Sequence, residues 1–238
     1  MNVAFLLDNL NEAKSLLKNI NLLKIENSTR ARTLKPNKFS SKFWAVCTDK
    51  KYNYHEIYQI AMENSDYDFI LTDDSFFQFS CDSYDHNTGK GRIRYAFYQN
   101  PRKYPTYDEF LIDNGFLIDE CGDMFYEDYE QFICEAELRR KITTIRYDYN
   151  FCDYRPPYHP VSHLHIGYNN DVRIALGRVL SPVKFISFVV RNVFKSNWRD
   201  GYSQNSVFKN NCLDFKENCS VLENIVFNED EKKLLHIT

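Results

Sequence analysis

Scarcity of glycine limits this chain more than any other single feature. Seven glycines stand among 238 residues, less than half of the usual share of about 7%. Loops that cradle phosphate with backbone N–H groups need several glycines close together. The one G-x-G, Gly89-Lys90-Gly91, lacks the third glycine of a dinucleotide fingerprint, and no G-x-x-x-x-G-K-[ST] run is present. Nucleotide folds built on such loops are therefore excluded. Any recognition of an anion must come from side chains on regular elements.

The remaining composition is that of a globular protein: 43% hydrophobic, 26% charged and 16% aromatic residues. A formal net charge of −3 argues against a wholesale electrostatic grip on nucleic acid and leaves room for a local basic patch. Seven scattered cysteines without a C-x-x-C pair suggest neither a zinc knuckle nor a disulfide framework, and lead us to expect a reducing cytoplasm. Met1 to Asp8 lacks the basic start of a secretory signal. Phe185 to Phe194 is interrupted by Arg191 and is too short to cross a membrane.

Hydrophobic periodicity predicts a single α+β domain over 1–238, a mainly antiparallel sheet flanked by helices with an N-terminal helical arm and basic loop over 1–37. Val3, Leu6, Leu7, Leu10, Ala13, Leu16, Leu17 and Ile20 fall on one helical stripe. Phe43 to Thr48 reads as a strand and His55 to Asn64 as a short helix. Tyr67 to Thr72, Phe76 to Cys81 and Arg92 to Tyr98 read as strands, with a polar turn over Asp85 to Gly91. In the second of these, Phe77, Phe79 and Cys81 alternate with Gln78, Ser80 and Asp82 as a half-buried strand would. Thr106 to Asp113 suits a helix, and Phe125 to Arg139 suits a helix or a strand. Thr143 to Tyr149, Ser162 to Gly167 and Val172 to Leu176 read as strands, the last two joined by a turn over Asn169 to Asp171. Ser181-Pro182 is a helix start, a cap followed by a first-turn proline, and another helix begins near Asn228.

The chemistry concentrates in 140–195. Three of the six histidines, His159, His163 and His165, lie within seven residues. On a strand, alternate side chains share a face, so His163 and His165 point one way and Leu164 and Ile166 the other. Upstream, Arg146 and Asp148 share a face opposite to Ile145, Tyr147 and Tyr149. If the two strands pair, an arginine, an aspartate and two or three histidines converge on one patch of sheet. That set supplies a base, an acid and a cation for a developing negative charge. A phosphodiester suits it, because an attacking ribose 2′-hydroxyl needs a base and no metal. The same residues also allow a metal reading, with His163, His165 and Asp148 as ligands of a divalent ion.

Arg146-Tyr147-Asp148-Tyr149, then His159-Pro160-Val161-Ser162-His163-Leu164-His165-Ile166-Gly167, then Arg178 and Ser181 to Ile186, resembles a bacterial family catalogued as domain of unknown function 2290. More remotely, an R-x-D strand followed by clustered histidines is similar to TumE-type toxins of bacterial toxin–antitoxin pairs. The first resemblance implies no established activity; the second implies a growth-inhibiting or phage-defence effector. The chain departs from the toxin pattern in lacking two adjacent histidines after the aspartate and in its longer N-terminal half.

The resulting expectation is a cytoplasmic effector with metal-independent, histidine-based ribonuclease or phosphoryl-transfer chemistry and no cofactor. His163 and His165 would form the acid–base pair, with His159 beside them and Asp148 orienting one ring. Arg146, Arg178 and Tyr149 would hold RNA or a nucleotide. Two alternatives stand beside it: a non-catalytic assembly subunit that binds a protein encoded nearby, and a His/Asp metal-dependent hydrolase. Other features read as structural or solvated. These are the acid pairs Asp73-Asp74 and Asp119-Glu120, the basic clusters Arg30 to Lys38 and Arg139 to Lys141, and the isolated His55, His86 and His236.

Overall fold

Period-two alternation along the middle of the chain builds a sheet with two covered faces. The structure, a computed structural model, describes residues 3–29, 34–82, 88, 90–168, 172–214 and 219–235. Helix α1 (Val3–Asn19) leads to a short edge strand, β1 (Leu23–Glu26). Helices α2 (Ser41–Thr48) and α3 (Tyr54–Glu63) precede β2 (Phe69–Leu71), β3 (Phe76–Asp82) and β4 (Arg92–Tyr98). An excursion of three helices, α4 (Tyr107–Asp113), α5 (Ile118–Cys121) and α6 (Tyr126–Glu135), separates β4 from β5 (Ile145–Asn150). Strands β6 (Ser162–Ile166) and β7 (Ile174–Ala175) complete a seven-stranded antiparallel sheet in which the strands lie in chain order. A ribbon of β8 (Arg178–Val179) and β9 (Ser220–Val221) brackets α7 (Pro182–Val193), α8 (Lys195–Gln204) and α9 (Ser206–Asp214). Helix α10 (Glu229–Leu235) follows. The chain is thus a single α+β domain.

One face of the sheet carries Phe77, Phe79, Tyr95, Phe97, Tyr147 and Tyr149, packed against α1 and α7. Ser181 caps α7 by accepting the Lys184 N–H, and Pro182 occupies the first turn. Phe185 projects from α7 between the rings of Phe77, Phe79 and Tyr95, at centroid distances of 6.1, 6.2 and 5.7 Å. Leu6, Leu10, Ala13, Leu16, Leu17 and Ile20 of the N-terminal stripe are buried in the same core. The buried Tyr147 finds partners for its hydroxyl, as burial favours. Tyr147 Oη accepts the Leu180 N–H at 3.1 Å and lies 3.1 Å from Ser162 Oγ.

A second core covers part of the opposite face. Phe43, Val46, Tyr54, Ile57, Tyr58 and Ala61 pack on Ile70, Phe76, Ala96 and Tyr98. Two expectations are corrected here. Phe43 to Thr48 is helix α2, not a strand: Ser40 Oγ accepts the Phe43 N–H, and Phe43 and Val46 are buried at helical spacing. Strand β3 is not half-buried, because α2 and α3 cover its second face, leaving Gln78 5% and Ser80 6% exposed. The segment over 125–139 resolves as α6, and the helices expected at His55 to Asn64, Thr106 to Asp113 and from Asn228 are α3, α4 and α10. Most of the turn over Asp85 to Gly91, with His86, and the turn over Asn169 to Asp171 lie outside the described residues, as do Arg30, Arg32 and His236.

Candidate functional site

Strand register assembles the histidine segment. Strands β5 and β6 pair antiparallel with Arg146 opposite His165 and Asp148 opposite His163. On the other side of β5, Arg94 of β4 stands opposite Asp148, and Ala96 opposite Arg146. Directly paired residues share a face, so Arg94, Arg146, Asp148, His163 and His165 form two adjacent rows beside the second core. Their alternates Ile145, Tyr147 and Tyr149 point into the main core.

Asp148 is the hub. One carboxylate oxygen, Oδ2, accepts Arg146 Nε–H at 2.6 Å and lies 3.4 Å from His165 Nε2. Burial pushes this carboxyl upward, but the guanidiniums of Arg146 and Arg94, with His165 and His163, outweigh it and hold Asp148 below the ordinary carboxylate range. His163 Nδ1 lies 2.8 Å from the Pro160 carbonyl. A carbonyl only accepts, so Nδ1 carries the proton and Nε2 keeps a lone pair. The His163 ring lies 4.9 Å from that of His165 and 5.0 Å from that of His159, centroid to centroid. Among the described residues, the buried Nδ1 atoms of His165 and His159 meet no hydrogen-bond partner.

Both strand histidines are held neutral. Burial lowers His163 against the opposing pull of Asp148. Burial and then the Arg146 guanidinium lower His165, to about 4. His163 is 2% and His165 6% exposed. Asp148 of β5 and Ala175 of β7 stand on either side of His163, with the His159 ring and the Pro160 carbonyl beside it.

Beside them opens a cleft of about 340 Å³, near the lower end of the range for small-molecule sites. His165, Arg146, Arg94, Arg173, Lys50 and Cys47 line it, with Tyr168 and Tyr98. Arg94 lies over the Trp44 ring of α2 at 5.6 Å. Burial pushes the Cys47 thiol up, opposed by Arg94, so Cys47 is no ready nucleophile. His163 sits behind His165 and does not line the cleft.

Two expected contributors lie elsewhere. Tyr149 is 1% exposed on the opposite face. Arg178 donates through Nη1 to the Cys219 carbonyl at 2.8 Å in the β8–β9 ribbon. Lys38, from the basic loop, is buried against Asp68 at 2.6 Å, and Arg139 Nε donates to the carbonyls of Asn100 and Arg102. Asp73 caps a turn at Ser75, while Asp74 pairs with Lys24 and accepts from Tyr104. Asp119 and Glu120 are exposed on α5. The site instead gains Arg94, Arg173 and Lys50. Arg94 was readable from its alternation with Ile93 and Tyr95; Lys50 follows the helix misread as a strand, and Arg173 precedes the two-residue strand β7.

A divalent ion has one candidate position among the described residues. Ligand atoms of Asp148, His163 and His165 lie within 4.8 Å of one another, and His163 already donates its second ring N–H to a carbonyl, as metal-bound histidines do. No helix among the described residues is long and apolar enough to cross a membrane.

Comparison with curated proteins and with solved structures found no match to this chain. A family model described as "Uncharacterized conserved protein (DUF2290)" matches residues 16–238, which encloses the whole sheet and the histidine cleft. The chain belongs to the DUF2290 family.

Proposed function

We propose that the cleft binds a phosphate-bearing ligand, RNA or a nucleotide, and performs metal-independent acid–base transfer at the phosphorus. One observation carries this reading: Arg94, Arg146, Arg173 and Lys50 line the same cleft as a neutral histidine. In low-dielectric surroundings such cations favour an anion, and planar guanidiniums match phosphate oxygens. His165 accepts the proton of a ribose 2′-hydroxyl, and Asp148 stabilises the imidazolium that forms. The arginines take up charge on the equatorial oxygens as the 2′-oxygen bonds to phosphorus and the P–O5′ bond breaks, the leaving 5′-oxygen taking its proton from solvent water. His163 acts through its neighbours and is a positioning residue. In a bacterial cytoplasm such chemistry would serve a toxin or a phage-defence effector, with a neighbouring gene product as antitoxin or complex partner.

The metal reading rests on the Asp148, His163 and His165 cluster. Against it, the one carboxylate is already engaged by Arg146 and flanked by Arg94, so a dication would enter a positive field. Cleavage of a labelled oligoribonucleotide, with and without chelator, separates the readings. Cleavage that survives chelation and is lost in His165→Ala and Arg146→Met supports the proposal. Loss on chelation with recovery on adding zinc or manganese supports the metal. Absence of both binding and turnover leaves the assembly subunit.

A further inference from the structure

Net charge conceals a strong division within the chain. Residues 107–137, which contain α4, α5 and α6, hold eleven acids and no lysine or arginine. The rest of the chain, with thirty bases against twenty-two acids, carries a formal +8. The excursion also exposes apolar side chains: Ile112 is 61%, Leu117 55%, Met124 75% and Phe132 42% exposed. Its own interior is small, with Leu111 and Tyr129 as its buried members. Exposed apolar residues concentrated on one protrusion mark an interaction surface, and its charge specifies a cationic counterpart.

This chain carries such a counterpart elsewhere. A groove of about 460 Å³ is formed by α7, α8 and α9. Lys184, Phe188, Arg191, Trp198, Tyr202 and Leu213 line it. Trp198 and Tyr202 stack at 4.7 Å with Arg191 over the Trp198 ring at 5.5 Å, and Leu213 is 61% exposed. Residues 182–209 hold five bases and one acid. The groove is cationic with an aromatic floor, and the excursion is acidic with apolar knobs.

We propose that the α4–α6 excursion of one molecule docks in the α7–α9 groove of a second copy, reciprocally, closing a two-fold dimer. An interface of this kind buries apolar anchors at its centre and places opposite charges at its rim. A reciprocal contact closes at two subunits, whereas a one-way contact would propagate. The proposal does not depend on the chemistry of the histidine cleft.

Sedimentation of the full chain tests it. At about 10 mM ionic strength, where the Debye length is about 30 Å, the protein should run at twice its monomer mass; near 1 M, where it is about 3 Å, dissociation should rise. Glu127→Lys with Glu130→Lys on the exposed side of α6 should weaken self-association about tenfold. Arg191→Glu with Lys184→Glu in the groove should do the same. Mixing the two double variants should restore a heterodimer, because each reversed surface then meets a complementary one. Circular dichroism verifies that each variant is folded. A monomer at every salt concentration, a dimer indifferent to both variants, or a mixture that stays monomeric would each overturn the proposal.

Discussion

Acidification should destabilise this protein through His165 in a window above that in which ordinary carboxylates titrate. The unfolded imidazole takes up a proton near 6.5, whereas the folded one does so near 4. Between these values the unfolded chain binds more protons, so stability is complete above about pH 6.5 and falls as pH decreases toward 4. Each pH unit is worth up to about 1.4 kcal/mol, which gives about 3 kcal/mol over the whole window. The ring borders an open cleft, so solvent screening reduces this to about 1–2 kcal/mol. Urea denaturation at pH 7 and pH 4.5 measures the loss, and His165→Asn, which cannot titrate, should flatten the dependence by that amount. Nuclear magnetic resonance of the imidazole Cε1–H protons provides the microscopic check. A His165 resonance titrating near 6.5, or equal pH dependence in wild type and His165→Asn, would refute the reasoning.

The neighbours of that ring should move its titration in opposite directions. Arg146→Met removes a cation and should raise the His165 midpoint, while Asp148→Asn removes the acid 3.4 Å away and should lower it further; the same resonance reports both. Asp148→Asn should also cost about 1–3 kcal/mol in urea denaturation at pH 7, because two guanidiniums lose their counter-charge in half-buried positions. Phe185→Ala opens a cavity among Phe77, Phe79 and Tyr95 and should cost about 3–5 kcal/mol in the same assay. Inorganic phosphate at about ten times its dissociation constant should stabilise the wild type by about 1.4 kcal/mol in thermal unfolding, and Arg146→Met should remove most of that gain.

What could be read from the sequence followed the range of the signal. Alternation in Ile145 to Tyr149 and Ser162 to Ile166 is local, and it placed Arg146, Asp148, His163 and His165 on a shared face once the strands paired. Helix α2 escaped because Phe43, Trp44, Val46 and Thr48 have β-like composition over only eight residues, and the decisive sign is a single cap at Ser40. Strand β1 has four residues on an edge and no alternation long enough to register. The double burial of β3 depends on which helices return over it, a tertiary fact without a local trace. For the same reason Lys50 and Arg173 could not be assigned to the cleft, and the polarity of Arg178 was no guide to its place in the β8–β9 ribbon.

The insertion of the helical excursion between β4 and β5 also orders the assembly of the site in time. Strands β5 and β6 are joined by a short connection, so the pairing that brings Asp148 beside the histidines closes a small loop. Arg94 arrives only when β4 joins β5, across the 46 residues between Tyr98 and Ile145, and closing that longer loop costs more chain entropy. The acid–histidine hairpin therefore precedes its second arginine during folding, and a cleft able to hold an anion exists only once the central seam has zipped. One-residue slippage at that seam would turn Tyr147 toward the cleft and Arg146 and Asp148 into the aromatic core, so only one register of the seam completes the site.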